Sequence, residues 1–170
     1  MSTALKSVPV GIVAERRKAA SQWIDFVWRP LAVLPGLPEA APWTVLSTEG
    51  DITVFYLGTT QIELHRSETA NYRDNLASGA PAVWIALRPV DGDQPYTIAA
   101  ATVDPAEGEA FTEAGNDLIE AVPMPPAIRD IVADFVAEHH VEREFFKRKR
   151  DRGDPEALAR RPVRRQDENE

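Results

Sequence analysis

The chain has 170 residues, 18.8 kDa, 44% hydrophobic and 27% charged residues and a formal net charge of −8, the composition of one soluble globular domain with a core of its own. It contains no cysteine, which excludes disulfides, iron–sulfur ligation, thiolate zinc sites and a cysteine nucleophile. No apolar run approaches the roughly 20 residues of a membrane-spanning helix.

The opening residues, Met1-Ser2-Thr3-Ala4-Leu5-Lys6, lack the apolar stretch of a secretory signal, so the expected location is cytoplasmic. Val8, Val10, Ile12 and Ala14 then alternate with other residues, the period of a half-buried strand. Residues 21–34 are rich in Trp, Ile, Phe and Val and read as a second extended segment, with Pro30 as an edge or bend and Pro35-Gly36 as its turn. Residues 44–47 and 52–57 flank Thr48-Glu49-Gly50-Asp51 as a hairpin. Gly58-Thr59-Thr60 marks a bulge or bend before Ile62 and Leu64 resume the alternation.

A first helix is predicted over residues 68–78, stopped by Gly79. Val83, Ile85 and Leu87 form another strand, and Tyr96, Ile98 and Ala100 a further one, with Asp91-Gly92 as the turn between them. Asp104, Pro105 and Glu107 make a capping box for a second helix that ends at Gly115. A third helix opens at Pro125-Pro126 and carries the stripe Ile128, Ile131, Val132, Phe135 and Val136, which can continue through Phe145 and Phe146. The fold class expected is α+β: a mostly antiparallel sheet of about six strands packed by a C-terminal amphipathic helix running to about His139.

Charge divides the chain. Residues 1–142 hold 9 Lys/Arg and 20 Asp/Glu, whereas residues 143–170 hold 10 and 7. After Phe146 there is no aromatic residue and one β-branched residue, Val163, too little apolar surface to offset the entropy of ordering. The domain organisation expected is a single globular domain over 1–146 and a charged, disordered tail over 147–170. Lys147, Arg148, Lys149, Arg150 and Arg152 form a basic arm, for which a solvated end is the blander reading and a docking element for an acidic partner surface is the one expected. An acidic body repels phosphates, which disfavours nucleic acid as that partner.

No chemical motif stands out. His139 and His140 are adjacent, so on a helix they point about 100° apart and cannot chelate together. His65 reaches them only through the tertiary fold, and no metal or other cofactor is called for. Neither common phosphate loop and no nucleophile elbow is present. What remains is binding chemistry. Trp23 and Trp28 are five apart, on opposite faces of a regular strand, so at least one is exposed unless a bulge intervenes. Arg29, Arg66 (beside His65) and Arg88 would make a cationic patch if they gathered on one edge, or remain separate solvated side chains.

Several segments together resemble a bacterial domain family of unknown function. They are the run from Pro9 to Arg17, Trp23 with Trp28-Arg29-Pro30, residues 33–36, Glu63-Leu64-His65-Arg66, Asn75-Leu76, residues 84–89, residues 122–125 and His139-His140-Val141. Members of that family are encoded beside molybdenum- or tungsten-dependent formate dehydrogenases, and some carry a label for molybdopterin guanine dinucleotide synthesis. Guanylyl transfer needs a Gly-rich nucleotide loop and acids for Mg²⁺, but Glu15-Arg16-Arg17-Lys18 follows the first strand and no glycine occurs between Gly11 and Gly36. The resemblance therefore implies a non-catalytic accessory or assembly protein, whose partner is a formate dehydrogenase subunit or its maturation factors. The alternatives are the dinucleotide-synthesis enzyme and a general peptide-binding module. No membrane partner is expected.

Overall fold

A computed structural model describes residues 4–113 and 115–141. The α+β class and the antiparallel pairing are as expected, but seven strands form two sheets where about six in one sheet were anticipated. β1 (Lys6–Lys18), β2 (Phe26–Pro35), β3 (Thr44–Glu49) and β4 (Ile52–Leu64) form the first sheet, in the order β2-β1-β4-β3. A 3-10 turn (Arg66–Glu68) leads into α1 (Thr69–Ala77). β5 (Ala82–Pro89), β6 (Tyr96–Thr102) and β7 (Leu118–Pro123) form the second sheet, in the order β6-β5-β7. α2 (Pro105–Glu113) lies between β6 and β7, and α3 (Pro126–His139) follows β7.

Two readings of the chain need correction. Residues 19–25 are the loop of the β1–β2 hairpin, closed by the Ala19 N–H donating to the Asp25 carbonyl at 3.0 Å, so the second strand starts at Phe26 and not at residue 21. Trp23 and Ile24 gave that stretch the composition of a strand, yet both are exposed. β7 was not anticipated, because Leu118-Ile119-Glu120-Ala121-Val122 has no two-residue alternation. Its pairing with β5 (Val83↔Val122, Ile85↔Glu120) comes from tertiary context.

The alternation of β1 does what its period implies. Val8, Val10, Ile12 and Ala14 all enter one core with Ile62 and Leu64 of β4 and Val83, Ile85 and Leu87 of β5. The bulge at Gly58 is real: the register slips between Ile12↔Gly58 and Val13↔Tyr56, and Gly58 has φ +130°, a value only glycine adopts without strain. The stripe of α3 joins the same core through Ile128, Val132, Phe135 and Val136, and the Phe135 ring meets Tyr72 of α1 edge-on at 6.2 Å. No helix among the described residues is long and apolar enough to cross a membrane.

The start of α2 shows how a local rule is rewritten by its neighbours. Asp104 caps as expected, its Oδ1 accepting from the Ala106 N–H at 2.9 Å. Glu107 does not reach back to the Asp104 N–H, which donates instead to Thr102 Oγ1 (3.1 Å), while the Thr102 hydroxyl donates to Glu107 (3.1 Å). The capping box is thus relayed through a threonine at the end of β6.

Candidate functional site

β1 and β4 have 13 residues each, whereas no strand of the second sheet exceeds 8. At the end of the first sheet that carries Arg16–Lys18, aromatic rings from both sheets gather. Trp28 stacks on Phe55 (5.4 Å), meets Trp43 edge-on (5.6 Å) and lies 6.0 Å from Tyr96. Arg16 is opposite Trp28 on one side and Thr53 on the other. Its guanidinium sits over Phe26 at 4.3 Å, Phe55 at 5.1 Å and Trp28 at 5.8 Å. The half-buried cation thus covers apolar ring surface.

Beyond this cluster lies an apolar tip. Trp23 is 92% exposed, Ile24 56% and Val27 54%, with Phe26 beside them. An indole this exposed on a hairpin loop buries almost nothing within its own domain. Large amphipathic aromatics placed in this way are the residue type that dominates protein interfaces. Of the two tryptophans five apart, Trp23 is thus the exposed one, while Trp28 is half-buried in the cluster.

The cationic candidates do not converge. Arg29 on β2 pairs with Glu15 at 3.4 Å, a buried carboxylate it shares with Arg17 (3.5 Å). Arg88 on β5 holds Asp117 with two N–H donors, each at 3.2 Å, and that carboxylate raises the guanidinium's pKa. Arg66 is exposed on the 3-10 turn, and among the described residues no ion pair or hydrogen bond links any two of the three. Lys147, Arg148, Lys149, Arg150 and Arg152, the proposed helix extension through Phe145 and Phe146, and the boundary at 146 lie outside the described residues.

The histidines also have separate surroundings. The His65 ring is 3.8 Å from Glu63, and His139 lies 3.6 Å from Glu138 with its ring 4.5 Å from Phe135. His140 Nε2 is 3.1 Å from Arg73 and Nδ1 is 3.0 Å from Thr69 Oγ1. Arginine only donates, so Nε2 is the acceptor and the proton is assigned to Nδ1. Among the described residues no group of three or more His, Cys, Asp or Glu is placed to hold a metal ion.

His65 contributes to the core through its backbone, its N–H donating to the Tyr72 hydroxyl at 3.0 Å. Tyr72 is 1% exposed, and burial, reinforced by Asp104 and Glu68, pushes its hydroxyl up to about 12. Between pH 10 and 12 the unfolded chain loses a proton that the folded chain retains. Stability is complete below pH 10 and lost as the pH rises through about 12, by about 2–3 kcal/mol from this group. Urea unfolding at pH 9 and pH 11.5 should show about 2 kcal/mol of that decline in the native chain and a smaller one in Tyr72→Phe. Equal declines would mean that Tyr72 ionises normally.

Fold and surface together define a small α+β domain with an aromatic-bearing projection. Over residues 9–150 the chain matches the family described as protein of unknown function (DUF3305), and it belongs to that family. No curated protein matches it. No solved structure matches it either.

Sequence reasoning singled out Trp23 and Trp28 but missed Arg16, Phe26, Trp43, Phe55 and Tyr96 as a group. The signal for Arg16 and Phe26 was their place near the ends of adjoining strands. Nothing local placed Tyr96, which comes from the second sheet.

Proposed function

We propose that this protein is an accessory or assembly factor that acts by docking, and that its partner is a molybdenum- or tungsten-dependent formate dehydrogenase or one of its maturation factors, met in the cytoplasm. The observation that carries the docking role is the exposed tip formed by Trp23, Ile24 and Val27, backed by the Arg16-capped rings. The partner's identity is supported by the family resemblance of the segments named above.

The test is affinity purification from the native host with mass spectrometry, comparing the native chain with Trp23→Ser/Ile24→Ser. The native chain is expected to recover a molybdoenzyme subunit or maturation factor. The double variant should bind that partner at least about 30-fold more weakly, the effect of losing a hot-spot residue worth about 2 kcal/mol. Its own stability should stay within about 0.5 kcal/mol, because the replaced groups are exposed. A native chain that recovers no such protein under gentle conditions overturns the choice of partner. A double variant that recovers the same proteins overturns the tip as the docking site.

A further inference from the structure

Among the described residues Arg16 is the one lysine or arginine that is not exposed. Other arginines that meet protein have acids to hold: Arg17 and Arg29 share the buried carboxylate of Glu15, and Arg88 holds Asp117. Arg16 has no such partner. Among the described residues no carboxylate pairs with its guanidinium and no oxygen accepts from it, and its close contacts are the rings of Phe26, Trp28 and Phe55. The reason is local. Glu15 is its neighbour on β1, and successive residues of a strand point to opposite faces, so the acid serves Arg17 and Arg29 on the other side.

A guanidinium carries a planar fork of N–H donors and is always charged. Among the described residues that are not exposed, no buried side-chain nitrogen or oxygen lacks a hydrogen-bond partner. The unpaired nitrogens of Arg16 therefore reach solvent. Three ring contacts, at 4.3, 5.1 and 5.8 Å, restrict the side chain, so little rotamer freedom is left to lose when an acceptor binds. A carboxylate matches the fork with two parallel N–H···O bonds. Covering the rings needs only the aliphatic stem; free donors at its end do not follow from packing. The local charge also favours an anion. Arg16, Arg17, Lys18 and Arg29 are four of the nine lysines and arginines in residues 1–142, and all stand at this end of the β1–β2 hairpin. The rest of the body is acidic, which suits a monoanion better than a phosphate dianion. Phe26, under the cation and 39% exposed, offers apolar surface beside it.

We infer that Arg16 is an anion receptor, taking the side-chain carboxylate of an Asp or Glu of a partner protein in its free N–H fork while an apolar residue beside that carboxylate packs on Phe26. The inference rests on the docking reading for the place of the partner and adds the group that the partner presents. Its measurement needs no formate dehydrogenase component, so the two fail separately. Recovery of no molybdoenzyme protein removes the choice of partner and leaves the carboxylate site standing. A carboxylate that does not touch Arg16 removes this inference and leaves the tip standing.

The probe is an octapeptide of alternating Glu and Leu, acetylated and amidated at its ends, titrated into the isotopically labelled full chain. The readout is the Arg16 Nε–H resonance, identified by its loss in Arg16→Lys. Two counterparts accompany the probe, one with Gln and one with phosphoserine in place of each Glu. The Glu peptide is expected to shift the Arg16 resonance saturably, the Gln peptide to leave it unmoved, and the phosphoserine peptide to bind no more tightly than the Glu peptide. Arg16→Lys keeps the charge but loses the fork, and should weaken binding of the Glu peptide about fivefold to tenfold, read from the backbone amides of β1 and β2. The Arg16 signal is read on the native chain and does not depend on how the variant folds. An unmoved Arg16 resonance, an equal shift with the Gln peptide, or unchanged affinity in Arg16→Lys would each overturn the inference. Tighter binding of the phosphoserine peptide would overturn it too, by assigning the fork to a phosphate.

Discussion

Asn75→Ala is expected to lower stability by about 3–5 kcal/mol, chiefly through the hydrogen bonds it removes. Asn75 is buried in α1, and its amide makes three bonds to backbone groups of other elements. Its Oδ1 accepts from the Ala82 N–H at 3.0 Å, and its Nδ2 donates to the Ala82 and Val103 carbonyls, each at 2.9 Å. Alanine leaves one donor and two acceptors without partners where α1, the start of β5 and the end of β6 meet, and each unsatisfied buried group costs about 1–3 kcal/mol. Asn75→Asp tests the account. It keeps the acceptor for Ala82 but turns an oxygen toward two carbonyls, so it should be no more stable than alanine. Urea unfolding of the three chains decides the matter. A loss below about 1 kcal/mol for Asn75→Ala would show that water replaces the amide.

The second large effect comes from adding a single methyl group. Gly108 lies in α2, where alanine would ordinarily stabilise the helix by about 1 kcal/mol. Here a Cβ would fall within 2.6 Å of Trp84 Cδ1 and Cδ2, the root of a large ring packed between α2 and the outward face of β5. Neither the helix nor the indole can yield cheaply, so Gly108→Ala should destabilise by about 3 kcal/mol, a fall in Tm of roughly 10 °C for a domain of this size. Trp84→Leu alone will also destabilise, by removing ring contacts. Combined with Gly108→Ala, however, its cost should be less than the sum of the two, because the leucine makes room for the methyl. Additive losses in thermal unfolding would show that the two residues do not interfere.

Much of the fold was legible where a local period coincided with a buried face. Val8, Val10, Ile12 and Ala14, the Gly58 bulge and the α3 stripe all follow from side-chain spacing, which the backbone geometry imposes regardless of distant neighbours. Legibility failed wherever a distant partner decided. β7 becomes a strand because β5 offers an edge, and Glu107 gives up its usual capping partner because Thr102 is nearer. Trp23 and Ile24 look like strand residues until their exposure is seen, because composition alone does not separate an apolar side chain on the surface from one in the core. The candidate surface was half legible for the same reason. The five-residue spacing of Trp23 and Trp28 assumed one regular strand, whereas Trp23 is exposed because it lies in the hairpin loop, and the convergence of Trp43, Phe55 and Tyr96 on Trp28 needs two sheets to meet.

The pairing of Lys6 with Leu64 has a consequence in time. On the ribosome β1 and β2 emerge first and can close their hairpin at once, but the other edge of β1 waits until β4 has been synthesised. During that interval Val8, Val10 and Ile12 have no sheet to cover them, and the nascent chain presents both an unpaired strand and an apolar face. Contacts this distant along the chain slow the search for the native pairing and lengthen exposure to aggregation. Completion of β4 ends the first wait, and a second follows, because β5 pairs with β7 only after Pro123 has emerged. Yield during synthesis should therefore respond more strongly than equilibrium stability to changes in elongation rate between residues 18 and 64.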